Sequence, residues 1–137
     1  RYFVPGDRVW FRNPDEHSSD ITGYEGSWVF YLGHGLFCNF WKREHPYSLK
    51  RKCVEIYHWR HGAFTDNAGT LCMDENEVDE RVADTLNDAE ETARILALMM
   101  RPREAQGIYR DGGCMDVSRE SPRWVCRETT DIRLPAA

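Results

Sequence analysis

The run Ser27-Trp28-Val29-Phe30-Tyr31-Leu32-Gly33-His34-Gly35-Leu36-Phe37-Cys38-Asn39-Phe40-Trp41 decides how this chain is read. Two stretches rich in aromatic and apolar residues flank Gly33-His34-Gly35, a segment suited to a tight hairpin turn. With Gly33 and His34 as the turn residues, Leu32 faces Gly35, Val29 faces Cys38, Trp28 faces Asn39 and Ser27 faces Phe40. Directly opposed side chains share a sheet face. Both stretches are almost continuously apolar, so the hairpin is expected at the centre of an antiparallel sheet.

Working outward, Val4-Pro5-Gly6-Asp7 is turn chemistry and Arg8-Val9-Trp10-Phe11-Arg12 a short strand. Asn13-Pro14-Asp15 ends that strand, and the polar run to Gly23 reads as a surface loop. Downstream, Cys53-Val54-Glu55-Ile56-Tyr57-His58-Trp59 reads as a third strand, with Tyr57 and Trp59 packed on one face. Asp66-Asn67-Ala68-Gly69 marks a turn. Asp74 with Glu77, and Asp88 with Glu91, have the spacing of helix-capping pairs. Val78 and Val82 supply a four-residue apolar spacing, Ala93 to Met100 the second helix, and Pro102 its stop. The expected fold is α+β: an antiparallel sheet centred on the 27–41 hairpin with helices packed on one side. A single domain is expected over 1–137, with a sheet-rich core at 1–73, a helical pair at 74–101 and an irregular tail at 102–137.

The chain has 137 residues, 41% apolar, 12% aromatic and 30% charged, which excludes a disordered tail. Its 23 acidic and 18 basic residues give a net charge of -5, which argues against nucleic acid as a partner. No apolar run is long enough to span a membrane, and no signal peptide or lipidation motif appears. A soluble chain is expected. It begins with Arg1 rather than Met, as an excised piece of a longer protein would. The five cysteines are Cys38, Cys53, Cys72, Cys114 and Cys126, an odd number with no C-x-x-C spacing. Cys38 and Cys53 read as buried thiols. Cys114 and Cys126 flank a polar segment and would pair in an oxidising compartment. His58 and His61 lie near Cys53, but on a strand Cys53 points away from His58. No metal and no cofactor are therefore expected.

Gly6-Asp7, Val9-Trp10-Phe11-Arg12-Asn13-Pro14-Asp15, Gly26 and Val29-Phe30-Tyr31-Leu32-Gly33-His34-Gly35-Leu36-Phe37 resemble the bacterial spore-coat type of protein-glutamine γ-glutamyltransferase. These are small transglutaminases with a papain-like cysteine-enzyme core. No match is seen past Trp41, so the two capped helices and the tail read as additions. The resemblance implies a papain-like fold and acyl transfer or deamidation at a protein glutamine or asparagine through a thioester. The family places a glutamate directly after the glycine matching Gly26, where this chain has Ser27. It places a histidine where this chain has Phe40. The hairpin would set these two positions opposite each other, yet neither side chain acts as a base near neutral pH. The family's nucleophilic cysteine precedes this region, so an upstream segment or a second chain is expected to supply it.

The candidate catalytic residues are Glu25, Ser27, His34 and Cys38. Glu25 lies two residues before Ser27 and shares its face by strand periodicity. His34 is the hairpin's histidine, at a turn position that faces water. The Cys38 thiol would need a cationic neighbour or a helix N-terminus to ionise. The candidate substrate-binding residues are Trp28, Asn39 and Phe40. An amide between aromatics, as at Asn39, must find a partner or cost ~1–3 kcal/mol. Two functions are open: a divergent transglutaminase-like module, of a kind that by analogy occurs in secreted bacterial effectors, or a protein-binding domain that kept the fold without the chemistry. In both the partner is a protein, not nucleic acid or a membrane.

Overall fold

Gly6 turns the chain into its first strand. Its φ of 92° is the left-handed region that glycine enters freely. The Asp7 carboxylate accepts from the Val4 N–H at 2.8 Å, and the Gly6 N–H donates to the Tyr31 carbonyl at 2.7 Å. These coordinates are a computed structural model, which describes residues 3–40, 44–102 and 112–115. Strand β1 (Arg8–Arg12) follows, then the short helix α1 (Glu16–Ser19), β2 (Gly26–Gly33), β3 (Leu36–Asn39) and β4 (Tyr47–Ser48). They form one antiparallel sheet in the order β1-β2-β3-β4.

The hairpin is where the sequence places it, but its register is one residue away from the expected one. Val29 pairs with Asn39, Phe30 with Cys38 and Tyr31 with Phe37. The turn is the cause. Gly33, His34 and Gly35 all take positive φ, at 92°, 54° and 75°, and a bulge between Tyr31 and Gly33 pairs Gly33 with Leu36. A one-residue slip moves a side chain to the opposite sheet face. Cys38 therefore faces Phe30 rather than Val29, and Asn39 faces Val29 rather than Trp28. On its other side β2 pairs with β1, Trp28 with Trp10 and Ser27 with Phe11. Val9, Phe11, Val29, Tyr31 and Phe37 form the buried face. Trp10 and Trp28, 5.0 Å apart, and the stacked rings of Phe30 and Phe40, at 4.2 Å, lie on the other side.

The stretch expected as a third strand is the middle of a helix, α2 (Leu49–Gly62). Ser48 caps it by accepting from the Arg51 N–H. Two buried stripes run along α2. Leu49, Lys52, Cys53, Ile56 and Trp59 recur at helical spacing, and so do Val54, His58 and Gly62. Tyr57 and Trp59 consequently do not share a face: Trp59 is buried, while Tyr57 lies under the Arg60 and Arg94 guanidiniums, at 4.2 and 5.6 Å.

Strands β5 (Ala63–Thr65) and β6 (Leu71–Met73) form a small hairpin around the expected turn, where the Asp66 carboxylate accepts from the Ala68 and Thr70 N–H groups. Helices α3 (Glu75–Asn87) and α4 (Ala89–Met99) start at the two aspartates the sequence marks. Asp74 accepts from Asn76 and Glu77, and Asp88 from Glu90 and Glu91. These helices pack chiefly on α2, and their buried residues Val78, Val82, Ile95 and Met99 join one core with those of α2 and the sheet. A short strap, residues 112–115, runs between α4 and β1: Cys114 donates to the Met99 carbonyl and accepts from the Arg12 N–H. A pairing of Cys114 with Cys126 lies outside the described residues. Among the described residues no helix is long and apolar enough to cross a membrane.

Candidate functional site

The loop before β2 is tied down by one buried side chain. Asn13 donates to the Ser18 hydroxyl and the Tyr24 carbonyl, both at 2.9 Å, and its own carbonyl oxygen accepts from the Asp15 N–H. The Asn13 N–H also donates to the Glu25 carbonyl. Asn13 thereby fixes where Tyr24, Glu25 and Gly26 stand. At Gly26 a Cβ would run into the Phe11 carbonyl and the Trp10 ring, so only glycine lets β1 and β2 come this close.

A cleft of about 640 Å³ opens beside this junction, bounded by β2, the end of β3, α2 and α3. Glu25, Ser27, Trp28, Asn39 and Phe40 all line it. Five of the seven candidate residues thus come together although the hairpin register differs. Ser27 is half-buried and does not pair with Phe40 as expected, since the β2–β3 ladder runs one residue off that register and ends at Val29 and Asn39. His34 is exposed at the hairpin tip, and Cys38 is buried in the sheet; neither lines the cleft.

The opposite wall is built from residues outside the candidate set. Glu55 and Trp59 come from α2, and Glu75 and Asp79 from α3, with Trp10 and Tyr24 completing the lining. Glu55 and Trp59 are four residues apart and share a face on a helix as they would on a strand, but a strand would put Tyr57 beside them, whereas α2 turns Tyr57 away and presents the other two to the cleft. The Tyr24 hydroxyl donates to Glu75 at 2.6 Å, and its ring meets Trp59 edge-on at 5.1 Å. Burial, then the Glu75 carboxylate, pushes that hydroxyl above its ordinary pKa, so it stays a donor.

Asn39 finds its partner on β4: the Tyr47 hydroxyl donates to its side-chain oxygen. Burial, then Glu55, also pushes the Tyr47 hydroxyl up. The Lys52 ammonium lies over the Tyr47 ring at 4.5 Å and pairs with Glu55 at 3.1 Å. Lys52 is 1% exposed, so this ion pair holds Glu55 against the cleft wall and offsets a buried charge.

The cleft is aromatic with a carboxylate-rich rim. Glu25, Glu75 and Asp79 are exposed there, with the Arg51 guanidinium 4.0 Å from Asp79. Such a surface can hold a cationic side chain over its rings. Among the described residues, none that lines the cleft is a histidine or a cysteine. Elsewhere, the hydrogen bond with Cys53 and complete burial push the Cys114 thiol well up. Burial, then Asp66, raises Cys72. Among the described residues no group of three or more His, Cys, Asp or Glu side chains is placed to hold a metal ion.

The sequence model of the family described as TGL, protein-glutamine gamma-glutamyltransferase, matches residues 1–111. That span continues beyond Trp41 through both capped helices, so they are part of the matched region rather than additions. No curated protein and no solved structure matches the chain.

Proposed function

Since the chain belongs to the protein-glutamine gamma-glutamyltransferase family, we propose that it is a transglutaminase-like module whose cleft binds a cationic side chain of a protein partner without transferring an acyl group itself. The observation that carries this reading is the lining of the cleft. Ser27 and Phe40 stand in it at the positions where the resemblance expects an acid and an imidazole. Around them are the Trp10, Tyr24, Trp28 and Trp59 rings and the Glu25, Glu55, Glu75 and Asp79 carboxylates. Acyl transfer needs an ionised nucleophile, a base to relay its proton and donors for the oxyanion. Ser27 and Phe40 provide neither acid nor base, whereas ring faces and carboxylates suit an ammonium or guanidinium group, each contact contributing about 0.5–2 kcal/mol. A helix laid against the buried face of an antiparallel sheet, with a cleft at its flank, supports a divergent papain-like layout.

The test has two arms. Tryptophan fluorescence follows binding of a short lysine-containing peptide and of its acetyl-lysine counterpart. The charged peptide is expected to bind more tightly, with Trp28→Ala or Glu25→Gln weakening it about 5- to 10-fold, roughly 1–1.4 kcal/mol. The second arm offers a fluorescent primary amine and a glutamine peptide. Amine incorporation that iodoacetamide abolishes would instead establish the transfer reaction.

A further inference from the structure

Two thiols that the cleft does not use meet in the core. The Cys53 Sγ of α2 lies 3.7 Å from the Cys114 Sγ of the 112–115 strap, and both residues are fully buried. We propose that Cys53 and Cys114 are a cross-linking pair that forms an intramolecular disulfide and fastens the strap to the helix behind the cleft.

The surroundings hold both partners in place. Cys53 belongs to the buried stripe of α2 with Lys52, Ile56 and Trp59. Cys114 is pinned through its backbone on both sides, donating to Met99 at 2.8 Å and accepting from Arg12 at 2.9 Å. Gly113, next to it, packs so tightly on the Arg101 backbone that a Cβ there would collide. Met115 continues the strap by bridging Phe11 and Pro102. Closing the gap to the ~2.0 Å of an S–S bond takes side-chain rotation and a small backbone shift, within reach of a pair already in van der Waals contact. Glu55 and Trp59 of the cleft wall follow Cys53 on the same helix, so the link also fixes that wall against β1 and α4.

The oxidant is a small-molecule disulfide such as oxidised glutathione. One cysteine loses its proton and attacks a glutathione sulfur, releasing one glutathione thiol and leaving a mixed disulfide. The second cysteine loses its proton, attacks the protein sulfur and releases the other glutathione thiol. Two S–H bonds become one protein S–S bond, and one glutathione disulfide becomes two thiols. The contact with Cys53, then burial, disfavours the Cys114 thiolate, so the exchange is slow at pH 7 and faster at pH 9.

The full chain is incubated with oxidised glutathione, alkylated without reduction and digested for mass spectrometry. The expected product is the Cys53 peptide joined to the Cys114 peptide, two hydrogens lighter than the separate pair. Because the two residues are 61 apart in sequence, the link should raise Tm by about 10 °C, reversed by dithiothreitol. Cys126→Ser should keep the product, and Cys53→Ser or Cys114→Ser should abolish it. Should either of those fold poorly, the wild-type and Cys126→Ser maps decide alone. Joining of Cys114 to Cys126 in place of Cys53, or full alkylation of both thiols in the folded, treated chain, overturns the proposal.

Discussion

Gly26 shows what kind of residue carries the family resemblance. It makes no chemistry; it makes room. So do its companions in the matching stretch: Gly6 bends the entry to β1, Asn13 ties the loop before β2, Asp15 caps α1, and Gly33-His34-Gly35 turn the hairpin through positive φ. Their roles are backbone roles, set by φ and by hydrogen bonds, and they persist where Ser27 and Phe40 depart from the family's acid and imidazole. That is why the frame of the site was readable from residues while half of its lining was not. Gly26→Ala should force β1 away from β2, since the new methyl meets the Phe11 carbonyl and the Trp10 ring. The expected loss is about 1–3 kcal/mol in a urea melt, with weaker peptide binding in the cleft. A variant as stable as wild type would mean that the two strands separate there without cost.

At the scale of elements, local signals succeeded where chemistry is short-range and failed where burial decides. The two helix starts were legible because an aspartate three residues before an acid is a local capping device. Helix α2 was not, because its pattern reads two ways. Cys53, Val54, Ile56, Tyr57 and Trp59 are strand-prone residue types. The helical stripe is interrupted to the eye by Lys52, a charged residue that turns out to be buried against Tyr47 and Glu55. Burial on two sides, against the sheet and against α3, removes the amphipathic contrast that would mark a helix. The hairpin failed more narrowly: three consecutive positive-φ residues add a bulge that no pairing rule from the sequence contains. The cap reading gives its own prediction. Asp88 both ends α3, through its N–H to the Thr85 carbonyl, and starts α4, through its carboxylate. Asp88→Ala should lower stability by about 1 kcal/mol, read as a shifted urea midpoint at unchanged slope, and Asp88→Asn should recover most of it.

On the scale of the whole molecule, α2 is the shared wall between the sheet and the α3–α4 pair, and His58 sits where α2 meets α3. Its ring nitrogens contact the Thr85 hydroxyl at 2.7 Å and the His61 ring at 3.0 Å. Burial first, then the charges of His61, Arg81 and Arg60, hold its pKa down at about 4 against an ordinary 6.5, with Glu91 opposing. Burial lowers His61 as well, helped by Arg81 and Arg60 and opposed by Asp15 and Glu77. Between pH 6.5 and 4 the unfolded chain therefore binds a proton at position 58 that the folded chain refuses. Stability from this group is complete above pH 6.5 and drains away as the pH falls through that window. Protonated His58 would be a buried cation facing two arginines, and α3 would be driven from α2. His58→Gln can keep a hydrogen bond to Thr85 but does not titrate. Urea melts at pH 7.5 and 4.5 should show wild type losing about 2 kcal/mol more than His58→Gln on acidification. Equal losses in the two proteins would show that the acid sensitivity does not arise at His58.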